Sequence, residues 1–165
     1  MVDMAIDALN RLGDDRDEVA DSLLGRAPAE RSRLISQGGV FRPLTERLFV
    51  AAGLVPGMRV LDLGSGAGDV ALLAAEMVGP AGSVVGVDND PNVLVIARER
   101  AYQAGFTNVS FVEGDVGGGV PADTFDALVG RFILMYQSDP AAAIQARLPW
   151  LRAGAVIAFH EMDIV

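Results

Sequence analysis

The stretch Arg59–Met77, RVLDLGSGAGDVALLAAEM, decides the fold of this chain. Its apolar opening, Val60–Leu63, is typical of a buried strand, and three glycines follow at alternate positions: Gly64, Gly66 and Gly68. The Ala- and Leu-rich segment after them has the composition of a helix. Glycines permit a sharp turn and a close backbone approach to a ligand, and a helix N-terminus offers unpaired N–H groups. The stretch therefore predicts the first half of a nucleotide-binding βαβ unit.

Two acids near these glycines narrow the choice of nucleotide. A dinucleotide fingerprint, GxGxxG, would place its third glycine at position 69. That position is Asp69 here, and the third glycine comes one residue early. Asp62 lies two residues before the first glycine. Because carboxylates repel an anionic pyrophosphate, the pattern favours a cationic or zwitterionic ligand.

The same stretch resembles motif I of the class I S-adenosylmethionine-dependent methyltransferases, in which a hydrophobic strand precedes D-x-G-x-G-x-G. The resemblance extends over about residues 28–163 and points to small-molecule enzymes of the ubiquinone-biosynthesis type. It implies S-adenosylmethionine as the cofactor, whose sulfonium and ammonium groups suit the acids. It also implies contacts from the glycine loop, including Ser65, and from Asp62 at the methionine end.

Composition argues against several other classes of function. A formal charge of −9 over 165 residues disfavours broad nucleic-acid binding, and the absence of cysteine excludes disulfides and thiolate catalysis within this sequence. A single histidine among scattered acids gives no metal-ligand spacing, so no metal is expected. The acidic N-terminus is unlike a signal peptide, and no apolar run is long enough to span a bilayer. We therefore expect a cytoplasmic protein without a membrane partner.

Strands that alternate with helices predict an α/β fold, a doubly wound Rossmann-like parallel sheet. The resemblance implies the strand order 3-2-1-4-5, with the cofactor lying across the carboxyl ends of the strands. Residues 1–27 are predicted to form an N-terminal helical segment, and 28–165 the cofactor-binding domain. Further helices are expected to begin at Pro28 and Pro43, separated by Gly38-Gly39. Strands are expected at 60–63, 83–88, 108–113, 125–129 and 155–159, and later helices at 91–104 and 141–151.

Asp88 ends the second predicted strand, 24 residues after Gly64. A ribose-binding carboxylate is expected at an offset of roughly 20 residues. The alternative role is the N-cap of the next helix, for which Asn89 and Asp90 are better placed, just before Pro91. The offset favours ribose binding by Asp88, with Asn89 as a neighbouring cofactor contact.

The loops after the third and fourth strands supply candidates through the resemblance. It implies that Asp115 meets the adenine amino group and Val116 the ring, although a solvated loop acid is the alternative for Asp115. The segment after the fourth strand resembles motif IV, which implies that Arg131 faces the cofactor and takes part in the reaction. A surface ion pair is the alternative for Arg131.

His160 follows the fifth predicted strand and is the sole histidine. It is a candidate general base, or a group that orients the acceptor, and an incidental strand-end residue is the alternative. The helix before the first strand often covers the methionine end in the family. The resemblance therefore makes Gln37, Phe41 and Arg42 further candidates for cofactor or substrate contact.

The family's sheet normally continues beyond its fifth strand, whereas this sequence stops at Val165. The fifth strand would then be an exposed edge, which predicts either self-association through that edge or a fragment of a longer chain. The sequence predicts methyl transfer to a small molecule whose identity it does not specify. Two alternatives stay open: a cofactor-binding or dimerising module without catalysis, and a nicotinamide-dependent oxidoreductase. The two acids and the shifted glycine disfavour the oxidoreductase.

Overall fold

The computed structural model describes residues 39–114 and 124–162. A five-stranded sheet with the strand order β3-β2-β1-β4-β5 forms its centre, and every strand pair in it is parallel. The predicted doubly wound α/β fold and its 3-2-1-4-5 order are confirmed. The predicted helices in 1–27, the helix from Pro28 and the division of the chain after residue 27 lie outside the described residues.

The strands and helices alternate along the chain. The strands are β1 (Arg59–Leu63), β2 (Ser83–Asp88), β3 (Val109–Glu113), β4 (Phe125–Arg131) and β5 (Leu151–His160). The helices are α1 (39–52), α2 (Asp69–Val78), α3 (Pro91–Gln103) and α4 (Pro140–Gln145), with short 3-10 turns at Leu134–Tyr136 and Leu148–Trp150.

The central strand β1 brings the carboxyl ends of its neighbours together. Leu63, its last residue, pairs with Val87 of β2 on one side and Gly130 of β4 on the other. Apolar side chains cover both faces of the sheet, as expected for a buried parallel sheet. Loops that follow β1, β2 and β4 therefore meet at one edge of the sheet, the position where open α/β sheets bind ligands.

The helix α1 differs from its prediction. It was expected to begin at Pro43 after a break at Gly38-Gly39, yet residues 39–52 are all helical and include Gly39. Pro43 cannot donate a backbone hydrogen bond inside this helix, but the helix continues past it to residue 52. The prediction from Gly38-Gly39 and Pro43 therefore put the start of this helix too late in the sequence.

The segment from α4 to β5 also departs from the expected bounds. The predicted helix 141–151 ends at Gln145, because Pro149 cannot continue it, and a 3-10 turn follows. β5 begins at Leu151, earlier than expected. It contains an irregularity, since Phe125 pairs with Leu151 but Ala127 pairs with Val156. Gly154, with φ of 81°, lies in this bulge.

No helix in residues 39–114 and 124–162 is long and apolar enough to cross a bilayer. In the same ranges, no cluster of His, Asp and Glu has the arrangement of a metal site.

Candidate functional site

The glycine loop between β1 and α2 is a tight turn at the carboxyl edge of the sheet. Gly64, Gly66 and Gly68 all have positive φ angles, 64°, 52° and 89°. A side chain at Gly68 would also collide with buried neighbours, since its Cβ would lie 3.0 Å from Phe111 and 3.2 Å from Ala97. Backbone conformation and close packing both require glycine here, so the loop presents bare backbone to the space above the sheet.

Asp62 is a fully buried acid at the base of this loop. Neither of its carboxylate oxygens has a hydrogen-bond partner among the described residues, and the same holds for the buried Oγ of Ser65. Burial raises the pKa of the Asp62 carboxyl well above its usual range, and the positive charge of Arg131 opposes that shift. The N–H of Ala71 also favours the ionised form but does not reach hydrogen-bond geometry. A buried carboxylate without a partner is costly, so this position suits a cationic group.

Asp88 connects the end of β2 to the glycine loop. Its Oδ2 accepts a hydrogen bond from the Gly66 N–H at 2.8 Å, and its Oδ1 accepts one from the Asp90 N–H at 3.0 Å. Each oxygen keeps a further lone pair for a ligand hydroxyl. The N-cap of α3 is Asp90, which accepts from the Asn92 N–H at 2.9 Å, as the sequence indicated. Asp88 is thus not engaged as a cap, and the neighbouring Asn89 is exposed.

Arg100 ties the glycine loop to α3. Its Nη1 donates to the Ala67 carbonyl at 2.6 Å, and its Nη2 donates to Asp69 Oδ1 at 2.7 Å. Arg131 Nη2 lies 3.6 Å from the other oxygen of Asp69. The charge of Asp69 is therefore balanced within the protein, which corrects the expectation that this acid repels a pyrophosphate. Of the two acids, only Asp62 lacks a partner of this kind among the described residues.

The Thr45 hydroxyl connects α1 to the ends of β4 and β5. Its Oγ1 lies 3.1 Å from the Phe41 carbonyl oxygen, 3.5 Å from Arg131 Nη1 and 2.9 Å from His160 Nδ1. A carbonyl can only accept and a guanidinium can only donate, so the single hydroxyl proton goes to Phe41. The remaining lone pair of Oγ1 then accepts from Nδ1–H. We therefore expect neutral His160 to carry its proton on Nδ1 and to leave Nε2 as an acceptor.

This assignment gives a spectroscopic prediction for His160. Burial lowers the pKa of the imidazole from its usual range, Arg131 lowers it further, and Glu161 opposes this. We therefore expect the sole histidine to titrate below the ordinary range in 15N NMR, with the Nδ1–H tautomer dominant above its pKa. Thr45→Val should shift the tautomer toward Nε2–H. The control Thr107→Val, at an exposed position, should leave these signals unchanged. A dominant Nε2–H form in the wild type would contradict the assignment.

Aromatic rings surround His160 at the same edge. The rings of Phe41 and Phe132 meet edge to face at 5.0 Å, and the Phe132 and His160 rings lie 5.3 Å apart. Phe132 has a φ of 55°, an uncommon conformation for a bulky residue, and its N–H donates to the His160 carbonyl at 3.0 Å. The two partly exposed phenyl rings form an apolar wall beside the imidazole.

Sequence comparison places this geometry in a known family. A model of the methyltransferase domain family matches residues 54–164, about two thirds of the chain. The chain belongs to this methyltransferase family. The resemblance expected from the glycine loop is confirmed.

Individual relatives agree with the family. Aklanonic acid methyltransferase DauC from Streptomyces sp. strain C5 is 36% identical over 120 residues, which are 72% of this chain and 54% of that protein. Ubiquinone/menaquinone biosynthesis C-methyltransferase UbiE of Pseudomonas putida is 32% identical over 78% of this chain and 51% of its own. A solved SAM-dependent methyltransferase from Aquifex aeolicus superposes with a TM-score of 0.64 at 26% identity, covering 70% of this chain and 62% of its own. The chain spans about half the length of these curated relatives.

In this member of the methyltransferase family the structure gathers most of the predicted site residues at one edge of the sheet. The loops and strand ends that follow β1, β2, β4 and β5 bring them there. They are Asp62, Gly64, Ser65, Gly66, Gly68, Asp88, Arg131 and His160, and Phe41 of α1 joins them. Asp115, Val116 and Gln37 lie outside the described residues.

Arg131 and Arg42 form ion pairs in different surroundings. The Arg131 side chain is only 10% exposed and pairs with Asp69, so the alternative of a surface ion pair is wrong. Arg42 pairs with Glu76 at 2.6 Å, and both side chains are substantially exposed. Glu76 lies about two helical turns beyond the glycine loop, so this contact directs Arg42 away from the loop.

Sequence reasoning missed several residues that shape the site. Thr45, Arg100, Phe132 and Glu161 act through contacts with partners far along the chain, such as the 115 positions between Thr45 and His160. No local pattern marks them. Only Phe132 and Glu161 had a signal available, since each directly follows a residue that was already a candidate.

Proposed function

We propose that this chain binds S-adenosylmethionine and transfers its methyl group to a small organic acceptor. The main support is the buried carboxylate of Asp62, which lies beneath the glycine loop and has no hydrogen-bond partner within residues 39–114 and 124–162. The ammonium of the cofactor's methionine moiety would supply the missing positive partner. An oxidoreductase that binds a pyrophosphate has no use for such a group at this position.

Each part of the cofactor has a matching group in the proposed complex. The glycines of the loop have no side chains to keep the cofactor away from the backbone. The free lone pair on each carboxylate oxygen of Asp88 can accept a hydrogen bond from one of the two ribose hydroxyls. Arg131 would bind the methionine carboxylate, since a guanidinium has five donors arranged as a fork. By family resemblance, Asp115 and Val116 would contact the adenine, and Asn89 would lie near the ribose.

His160 is the proposed general base. The bound cofactor would supply a methyl group on a sulfonium, which is already a good leaving group, so the protein mainly orients the acceptor and excludes water. With Nδ1–H held by Thr45, the Nε2 lone pair is available to take a proton from the acceptor. The lowered pKa of His160 keeps this nitrogen unprotonated near neutral pH.

The surroundings of His160 favour an acceptor with an apolar ring. Phe41 and Phe132 offer aromatic surface next to the imidazole, which suits a planar molecule that carries an ionisable hydroxyl or acidic C–H. The named relatives, which methylate aklanonic acid or act in quinone biosynthesis, are consistent with this class. The proposal includes a cytoplasmic location and no nucleic-acid partner, in keeping with the charge of −9.

Turnover tests the proposal directly. The chain would be incubated with S-adenosylmethionine and a panel of hydroquinones and phenols, and the release of S-adenosylhomocysteine measured. We expect acceptor-dependent release, lowered by about 100-fold in His160→Gln, the scale of lost general base catalysis. Binding of S-adenosylhomocysteine without turnover of any acceptor would instead favour the non-catalytic cofactor-binding module.

Self-association through β5 is a further part of the proposal. Among the described residues β5 pairs only with β4, so its outer edge has unpaired backbone groups and a half-exposed Ile157. We expect a dimer by light scattering, which a proline at position 157 should convert to a monomer while S-adenosylhomocysteine binding persists. A monodisperse wild-type monomer would contradict it.

A further inference from the structure

We propose that Glu161 is a positioning residue that fixes the loop after β4 and thereby shapes the methionine end of the cofactor pocket. This inference rests on the proposed function. Glu161 follows β5 and the candidate base His160, and the loop it contacts is residues 132–137, which we name the β4 loop. The carboxylate belongs to one strand end and the loop to another, so the contact joins β5 to β4.

Glu161 binds three successive backbone N–H groups of the β4 loop. Its Oε1 accepts from Ile133 at 3.1 Å and from Leu134 at 3.0 Å, and its Oε2 accepts from Met135 at 3.3 Å. These N–H groups begin a 3-10 turn and have no partner within it. A carboxylate that accepts several backbone N–H groups forms strong, charge-assisted hydrogen bonds. Glu161 therefore holds the β4 loop at its most irregular point, next to the positive φ of Phe132.

The held loop packs directly on the cofactor-binding machinery. A Cβ built on Gly64 would lie 2.5 Å from Cδ1 of Ile133, and one built on Gly130 would lie 3.1 Å from its Cγ2. The Ile133 side chain thus fills the space between the first loop glycine and the end of β4. Gly64 follows Asp62 by two residues, so Ile133 covers the part of the pocket assigned to the methionine moiety. Glu161 sets the position of Ile133 through its N–H.

The influence of Glu161 on ligand affinity should depend on whether the ligand carries the amino-acid group. S-adenosylhomocysteine carries the amino-acid group, whereas 5′-methylthioadenosine keeps only the adenosine and the sulfur. A residue that positions Ile133 should influence the first ligand and leave the second unaffected. If Glu161 were needed only for folding, its substitution should lower the affinity for both ligands alike.

The test compares Glu161→Gln with Glu46→Gln, the same chemical change at an exposed position of α1. The glutamine replaces one acceptor oxygen by an NH2 donor, which opposes the backbone N–H groups. We expect its Kd for S-adenosylhomocysteine to rise about tenfold and that for methylthioadenosine to stay within about twofold, as for loss of one charged hydrogen bond. Glu46→Gln should change neither. An equal loss of affinity for both ligands in Glu161→Gln, or no loss for either, would overturn the proposal.

Hydrogen exchange on the wild type gives a second measurement that needs no variant. S-adenosylhomocysteine should slow amide exchange at Ile133, Leu134 and Met135, and methylthioadenosine should not. Slowing by both ligands, or by neither, would contradict the role of Glu161. If the wild type binds neither ligand, the proposed function itself fails, which is distinct from a failure of this inference.

Discussion

The variant Asp62→Asn should lose cofactor affinity without losing stability. Asparagine keeps the size of the side chain but cannot neutralise an ammonium, so we expect the affinity for S-adenosylhomocysteine to fall by about 30-fold or more, equivalent to roughly 2 kcal/mol for a charged hydrogen bond. In the free protein the same change removes a buried carboxylate that has no hydrogen-bond partner among the described residues. The free energy of unfolding at neutral pH should therefore stay the same or rise. Calorimetric titration and urea unfolding measure the two quantities.

A matched acid at the opposite end of the sheet is the control for Asp62. Asp126 accepts from the Arg59 N–H at 2.7 Å and pairs with Arg152 at 2.6 Å, at the start of β4. Asp126→Asn should lower the free energy of unfolding and leave affinity unchanged. If both variants weaken binding equally, the proposed contact between Asp62 and the cofactor is wrong.

The raised pKa of Asp62 adds a pH dependence with a definite sign. Because its pKa is higher in the folded protein than in the unfolded chain, the folded state holds an extra proton between those two values. The contribution of Asp62 to stability is therefore present at low pH and is lost as the pH rises through that interval. Ligand affinity should have the opposite pH dependence to stability. It should weaken as the pH falls through the raised pKa, because only the ionised carboxylate binds an ammonium. Asp62→Asn should abolish both dependences, measured as differences from the wild type.

The second large effect is expected at Gly68. Its φ of 89° strains any other residue, and an added Cβ would lie 3.0 Å from Phe111 and 3.2 Å from Ala97, both in the core. We expect Gly68→Ala to lower the free energy of unfolding by about 2–4 kcal/mol, combining left-handed strain with overpacking. The displaced loop should also weaken binding of S-adenosylhomocysteine.

Gly105 separates the two contributions to the Gly68 effect. Its φ is 75°, but nothing lies within 4 Å of an added Cβ. Gly105→Ala should therefore lose only about 1–2 kcal/mol from backbone strain and keep ligand affinity. Equal losses in both variants would show that packing around the glycine loop does not matter.

The fold could be predicted from the sequence because its signals are local. The glycine spacing after an apolar strand and the acid at the tip of β2 each occupy a few adjacent residues, and they placed β1 and β2 correctly. The predicted start of a helix at Pro43 was wrong, because a proline can lie inside a helix as well as begin one.

The connections within the site could not be predicted, for a different physical reason. Whether Asp69 repels a ligand depends on Arg100 and Arg131, which reach it from other elements. The expected tautomer of His160 follows from its contact with the Thr45 hydroxyl, which belongs to α1. These properties arise only when folding brings distant residues together, so composition and spacing do not carry them.

Calorimetric titration of the wild type with S-adenosylhomocysteine and, separately, with NADH tests which cofactor the glycine loop binds. We expect saturable binding of S-adenosylhomocysteine, no binding of NADH, and loss of S-adenosylhomocysteine binding in Asp88→Ala, which removes the proposed ribose contact. Binding of NADH, or failure of S-adenosylhomocysteine to bind, would contradict the proposed cofactor and with it the methyltransferase activity.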